Sequence, residues 1–206
     1  MASFDLDSAD GQQSVTQGTS PWVVSLQSVV SGGDELATFV ALAKDVAIGN
    51  NKSMISVVNT SGSTVKVKLR ELYLINSQTS AVTGVVADFN LFRCVTHSAG
   101  TSITPQSYDT ADTLNASVTV RTGATIGTES ATALKRWEWS SDEWGVGTLD
   151  QEGNDHNTQT NINLLRQEKG CKPITLRANE GITLKQVVNS TAGTFDIMLV
   201  FTQELL

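Results

Sequence analysis

The sequence predicts an all-β fold, either a sandwich or a barrel, and three observations support this prediction. Only 17% of the 206 residues are charged, while Thr, Ser, Val, Gly and Asn are plentiful, a composition that favours strands and turns over helices. Short runs of apolar and β-branched residues are separated by turn residues at short intervals. No segment repeats at a fixed period, so a solenoid or a propeller is not supported. The predicted strands are 53–59, 64–75, 85–95, 117–121, 131–140, 173–177, 182–188 and 194–201.

The N-terminal residues 1–20 differ from the rest of the chain. They are polar and weakly patterned, and only Phe4, Leu6 and Val15 break the polarity. We therefore predict an extended N-terminal arm that lies outside the core. Its functional interpretation is a segment that becomes ordered on a neighbouring subunit, and the alternative is a frayed terminus.

Residues 21–206 are predicted to form one sandwich domain, because a chain of this length buries a sufficient core on its own. Two stretches in this region depart from the strand pattern. Residues 143–167 are mostly polar and are predicted to be a long surface loop that contacts a partner. Residues 34–44 are interpreted as one short helix.

Apolar and cationic residues alternate over residues 64–70, which predicts a strand with one buried side and one solvent-facing side. The phase reverses at Glu71, because Leu72 and Leu74 take the opposite parity to Leu69. A slip of one residue turns every following side chain over, so we predict a β-bulge at this point.

Two strand predictions concern the C-terminal region. Residues 173–177, the turn 178–181 and residues 182–188 together predict a hairpin-like pair. The final run, 194–201, places apolar side chains on both faces. This pattern is typical of a strand in a covered sheet.

Charge and targeting signals limit the kinds of partner. The formal net charge is −7 and no run of Lys or Arg forms a basic stripe, which argues against nucleic acid. The first residues are acidic where a signal peptide is basic, and no apolar run approaches the length needed to cross a bilayer. We therefore expect a soluble compartment and no membrane partner. The two cysteines, Cys94 and Cys171, are predicted to be buried thiols rather than a disulfide.

Catalytic patterns are weak in this sequence. Cys94 and His97 are three residues apart, but on a strand such residues point to opposite faces. We predict a buried thiol and an exposed histidine at the end of a strand, and no catalytic residues. No phosphate-binding loop is present in the sequence, so we predict no cofactor.

One acidic segment, Asp150, Glu152, Asp155 and His156, resembles an oxygen-rich cation site. Its spacing does not match the calcium loop of an EF-hand. We interpret the segment as a solvated acidic loop and predict no metal site, with a structural calcium or magnesium ion as the alternative. A β-sandwich hydrolase using these carboxylates is a further hypothesis, but no pairing of carboxylates at a known distance supports it, and we predict that the chain is not an enzyme.

Three tryptophans lie close together in the sequence. Trp137 and Trp139 alternate on one face of a predicted strand, and Trp144 follows an acidic turn. Aromatic side chains with polar neighbours stack on sugar rings or anchor interfaces. We interpret Trp137 and Trp139 as core or subunit-interface residues, with a glycan site as the alternative. Trp144 is the better candidate for exposure.

Several segments resemble virion structural proteins of tailed bacteriophages: LRELYLIN at 69–76, AVTGV at 81–85, ADTL at 111–114, VRTGA at 120–124 and KPITLRANEGI at 172–182. The resemblance extends over roughly residues 20–206. It implies an antiparallel jelly-roll β-sandwich of the kind that phages use as head cement, decoration or fibre-associated proteins.

The resemblance also implies a function. A capsid cement or decoration protein binds the major capsid protein, stabilises the head lattice and often forms a homotrimer on the capsid surface of the virion, after synthesis in the host cytoplasm. The residues expected to contact the partner are Phe4, Leu6, Val15, Trp22 and Trp144. The alternative is a receptor-binding or fibre-associated module in which Trp137, Trp139 and Trp144 face a host glycan.

Overall fold

The computed structural model describes residues 6–8, 11–13, 36–77, 85–141, 162–165, 172–188 and 193–206. These residues form strands and no helix, which confirms the all-β prediction, and accordingly they include no helix able to cross a membrane. The strands are β1 (Leu6–Ser8), β2 (Gly11–Gln13), β3 (Ala37–Ala47), β4 (Lys52–Asn59), β5 (Val65–Asn76), β6 (Val85–Cys94), β7 (His97–Ser98), β8 (Thr101–Ile103), β9 (Gln106–Ser107), β10 (Val118–Thr122), β11 (Thr125–Ile126), β12 (Lys135–Ser141), β13 (Ile162–Asn163), β14 (Thr175–Leu176), β15 (Glu180–Gln186) and β16 (Thr194–Leu205).

The chain divides into two units between Leu36 and Ala37. In the first unit, β1 and β2 pair as a two-stranded antiparallel sheet in which Leu6 lies opposite Gln13. The second unit contains all strands from β3 onwards. The predicted boundary between arm and domain, at residues 20 and 21, lies outside the described residues.

Two antiparallel sheets form the β-sandwich. The front sheet has the strand order β13-β5-β16-β3-β9, and β14 pairs with β5 beside this path. The back sheet has the order β12-β6-β15-β4-β10-β8. A third, two-stranded sheet consists of β7 and β11. Every strand pair is antiparallel, as predicted.

The strand order is that of a jelly roll. Successive strands β3, β4, β5 and β6 alternate between the front and back sheets, and the final strands β15 and β16 return to pair with them in reverse order. The front sheet thus contains β3-β16-β5-β13 and the back sheet contains β4-β15-β6-β12. These two four-stranded sets are the two facing sheets of an eight-stranded jelly roll. Strands β8, β9, β10 and β14 extend the sheets at their margins.

The core lies between the two sheets and contains two phenylalanine pairs. Phe89 of the back sheet meets Phe195 of the front sheet edge to face, with ring centroids 5.3 Å apart. Phe39 and Phe201, on neighbouring strands of the front sheet, stack at 5.8 Å. All four side chains are almost fully buried. Because burial of one such side chain contributes about 1.5–3 kcal/mol, these pairs are a principal source of stability.

The β-bulge predicted at Glu71 is confirmed. Val200 of β16 lies opposite Glu71, whereas the next residue, Phe201, lies opposite Leu69, so Arg70 is the additional residue on β5. Before the bulge the odd-numbered residues of β5 are buried, and after it Leu72 and Leu74 are buried. The bulge thus keeps the apolar side of the strand on the core when the sequence parity changes.

The short helix predicted at 34–44 is wrong, because Ala37–Ala47 is a strand of the front sheet. Phe39, Ala41 and Ala43 point into the core with a period of two, and β3 pairs with β16. The helix was one interpretation of a short apolar stretch between glycine-containing turns, a pattern that a buried strand also produces. Pairing with a long neighbouring strand decides between the two structures.

The hairpin predicted for 173–188 is also wrong. β14 pairs with β5 in the front sheet, whereas β15 lies between β4 and β6 in the back sheet. The turn between them is real: the Glu180 N–H donates to the Arg177 carbonyl, and Asn179 has a φ of 65°. It redirects the chain from one sheet to the other, as jelly-roll connections do.

The predicted loop 143–167 is described only at residues 162–165. There β13 pairs with β5, and Leu164 and Leu165 are buried in the core. This part is therefore a short strand followed by two core residues, because the side chains of Leu164 and Leu165 are buried between the two sheets. The rest of the predicted loop lies outside the described residues.

Candidate functional site

Two antiparallel segments, residues 95–99 and 124–130, lie against the outer face of the back sheet and are called the strap. They are brought together by the pairing of β7 with β11, in which Ile126 lies opposite His97. The Gly127 N–H donates to the Thr96 carbonyl at 2.8 Å. A Cβ atom at Gly127 would lie 2.0 Å from the Thr96 hydroxyl oxygen, so only glycine fits this position without a shift of Thr96.

His97 fastens the strap to the sheet. Its Nδ1 lies 2.8 Å from the Ser56 hydroxyl on β4, and its Nε2 lies 2.8 Å from the Thr119 hydroxyl on β10. Burial, and secondly the nearby Arg121, lower the pKa of His97 to about 4. The prediction of an exposed histidine at a strand end is therefore wrong, because the strap places the ring on the sheet and engages both nitrogens.

Cys94 is a buried free thiol, as predicted. Burial, and secondly the charge of Glu129, raise the pKa of Cys94 to about 12. A thiol held in its protonated form is a poor nucleophile, and the hydrogen bonds of His97 go to Ser56 and Thr119. Cys171 lies outside the described residues.

A cleft of about 650 Å³ opens beside the strap. The strap residues 124–129 form one wall, and Asn51, Ser53 and Lys185 of the back sheet and its preceding turn form the other. This volume lies within the range of small-molecule sites, about 300–1,000 Å³. The cleft is therefore a candidate binding site.

A charged pair crosses this cleft. Lys185 Nζ lies 3.0 Å and 3.1 Å from the two carboxylate oxygens of Glu129. The ammonium group also lies 5.8 Å from the centre of the Phe92 ring, within range of a cation–π interaction. The two opposite charges compensate each other, so the cleft wall has no net charge.

The front sheet presents a different surface, the front patch, on the side facing away from the core. It consists of Val40, Leu42, Tyr73, Tyr108 and Met198. The strand register places Met198 between Leu42 and Tyr73. The pKa of Tyr73 is raised, first by desolvation, then by the nearby Glu71 carboxylate and finally by Tyr108. Leu42 is 43% exposed and Tyr108 is 65% exposed.

The structure separates the residues that the sequence singled out. Trp137 is partly buried and packs against the core, in line with its interpretation as a core residue. Trp139 lies opposite Ala87 in the pairing of β12 with β6. Leu6 lies in β1. The expected contact residues Phe4, Val15, Trp22 and Trp144 lie outside the described residues.

The sequence did not reveal the cleft, because its walls come from three distant segments. Asn51 and Ser53, the strap residues 124–129, and Lys185 have no recognisable spacing. In the described part of the chain, no three His, Cys, Asp or Glu side chains are grouped as a metal site. The acidic segment 150–156 lies outside that part.

Comparisons of the chain with protein-family models, curated proteins and solved structures found no match. The fold assignment therefore rests on the topology of the two sheets. The likeness to phage virion proteins stays a prediction that rests on the sequence segments alone.

Proposed function

We propose that this chain is a structural protein of a tailed-bacteriophage virion, a cement or decoration protein that binds the major capsid protein and stabilises the head lattice. In this proposal it acts as a homotrimer on the capsid surface. The observation that carries the proposal is the front patch, an apolar surface on the outer side of a well-packed jelly roll.

The front patch has the composition of a protein-contact surface. Aromatic residues and methionine are enriched in interfaces, and the patch joins Tyr73, Tyr108 and Met198 with two aliphatic residues. All of its members are at least partly exposed in the described structure. A contiguous apolar area on the outside of a soluble domain often marks an interaction site.

The charge distribution supports attachment at more than one place. Residues 1–35 and 142–161 together contain ten of the 21 acidic residues and no Lys or Arg. The remaining residues contain all 14 cations and 11 acids, a net charge of +3. Two segments whose only Asp, Glu, Lys and Arg residues are acidic suit contact with a cationic partner surface, and such an attraction depends on salt.

A trimer on a repeating lattice presents each of these contacts three times. Once one contact forms, the others form at a high effective concentration, so weak individual contacts give tight overall binding. Such binding requires neither a deep pocket nor a chemical reaction. It suits a rigid sandwich whose core is separate from the surfaces that contact the partner.

The test uses two leucines of almost equal exposure. Leu42, in the front patch, is 43% exposed, and Leu134, before β12 of the back sheet, is 44% exposed. Purified wild type, Leu42→Lys and Leu134→Lys are each mixed with undecorated phage heads, and cosedimentation is measured together with the native mass of the free protein. We expect Leu42→Lys to weaken binding by roughly 10–150-fold, corresponding to about 1.5–3 kcal/mol of lost burial.

The control, Leu134→Lys, should bind as the wild type does. Equal binding by all three proteins would refute the role of the front patch, and no binding by the wild type would refute the cement proposal. A native mass other than that of a trimer would remove the trimer from the proposal. Deletion of residues 1–20 tests the arm separately, since undiminished binding would show that the arm is not needed.

The alternative, a receptor-binding or fibre-associated module that recognises a host glycan, receives less support from the tryptophans. Trp137 packs against the core and does not form an exposed platform for a sugar ring. Binding to host cells but not to heads, lost on Trp144→Ala, would favour this alternative.

A further inference from the structure

The walls of the cleft beside the strap are mostly polar, whereas the front patch is apolar. Six of the residues that line the cleft have polar side chains: Asn51, Ser53, Thr125, Thr128, Glu129 and Lys185. The Ser53 hydroxyl bonds to the Thr183 hydroxyl at 2.9 Å. Among the described residues, the side chains of Asn51, Thr125 and Thr128 make no hydrogen bond to the protein. Their donors and acceptors are therefore available to a ligand in the cleft.

Lys185 and Glu129 also have hydrogen-bond donors and acceptors that the pair itself does not use. The Lys185 ammonium group carries three N–H donors, and the Glu129 carboxylate offers about four acceptor positions. Within the described structure they bond only to each other. A ligand hydroxyl that lies beside this pair accepts from a remaining Lys185 N–H and donates to a remaining acceptor position of Glu129.

The chemistry of the walls selects a class of ligand. Because the Lys185 and Glu129 charges compensate, the cleft has no preference for an anion or a cation. The walls offer both donors and acceptors, and Ala124 and Ile126 add an apolar surface. A small neutral molecule with many hydroxyl groups and one apolar C–H face satisfies both features.

We propose that the cleft between the strap and β15 is a binding site for a neutral saccharide, a mono- or disaccharide or the end of a glycan chain. Its hydroxyl groups bond to Thr125, Thr128, Asn51 and the Lys185–Glu129 pair, and one ring face lies on Ile126. The inference does not depend on the capsid proposal, because it concerns another surface of the molecule.

The test is a titration of the full-length protein with neutral sugars, namely glucose, galactose, mannose, N-acetylglucosamine and their common disaccharides. Backbone amide shifts are followed by NMR, and inorganic phosphate serves as the charged comparison. At least one sugar is expected to shift the amides of 124–129 and Lys185 with millimolar or tighter affinity. No shift with any sugar, or tighter binding of phosphate than of every sugar, would overturn the proposal.

The variant is Thr125→Val with Thr128→Val, and the matched control is Thr132→Val, an exposed threonine that does not line the cleft. Loss of two hydrogen bonds is expected to weaken sugar binding about tenfold in the double variant and not in the control. Unchanged binding in the double variant would place the sugar elsewhere and refute the site. The same variant should bind heads normally, so failure of this proposal and failure of the capsid proposal are distinguishable.

Discussion

Acid should weaken the fold through His97, because its pKa is lowered from 6.5 to about 4 in the folded chain. Between these values the unfolded chain binds a proton at this residue and the folded chain does not. Stability therefore falls as the pH drops from 6.5 to 4, and the contribution of His97 is fully present only above pH 6.5.

The size of the effect follows from the same shift. A change of 2.5 pKa units corresponds to about 3.4 kcal/mol, and because the ring is only half-buried, solvent screening reduces this to about 1–2 kcal/mol. Hydrogen bonding adds little to the penalty. Ser56 and Thr119 each lie 3.4 Å from a carbonyl oxygen to which the hydroxyl donates, so both hydroxyls are able to accept from a protonated ring. The penalty comes from burial and from Arg121.

The assay compares urea unfolding of the wild type and His97→Gln at pH 7 and pH 4.5. Other groups titrate in this range, so the difference between the two proteins isolates His97. The wild type is expected to lose about 1–2 kcal/mol more than the variant on acidification. NMR titration of the two histidines gives an independent readout. A His97 pKa near 6.5, or equal losses in both proteins, would refute the reasoning.

Three further predictions concern single residues. Gln186 is fully buried opposite Phe89, and within the described part of the chain both of its side-chain polar atoms lack a hydrogen-bond partner. Gln186→Met should therefore raise the free energy of unfolding by about 1–3 kcal/mol in a denaturant titration. Gly127→Ala should increase hydrogen exchange of the strap amides, because the new Cβ collides with Thr96; unchanged exchange would contradict the close approach. Cys94, whose pKa is raised to about 12, should resist alkylation by iodoacetamide at pH 8 in the folded protein but react after unfolding.

The parts of the fold that could be predicted are those in which local pattern and tertiary environment agree. In β5 the alternation of Val65, Val67 and Leu69 revealed the buried side, and the parity change at Glu71 revealed the bulge. Both are properties of one strand, since a side-chain period of two follows from the strand itself. In β16, apolar residues on both faces predicted a strand in a covered sheet. Its inner face is buried and Val200 on its outer face is buried too, but Met198 on that outer face is partly exposed.

The errors arose where distant pairing decides the outcome. Residues 37–47 contain several good helix formers, yet they form a strand that pairs with β16. Residues 173–188 contain two strands joined by a short turn, which usually means a hairpin. Here β5 and β4 provide better partners in opposite sheets. The cleft was missed for the same reason, because no sequence spacing connects Ser53, Glu129 and Lys185.

The two outer faces of the sandwich differ in a way that favours the front sheet as the partner surface. On the back sheet the strap engages Ser56 and Thr119 through His97, and Arg136 binds Asp88 with two of its nitrogens. These polar groups are already satisfied within the chain, so a partner gains little by replacing their bonds. The front patch exposes apolar surface, and its removal from water would favour the binding of a partner. Loss of that apolar surface by mutation should therefore affect assembly more than stability, whereas mutations on the back face should do the reverse.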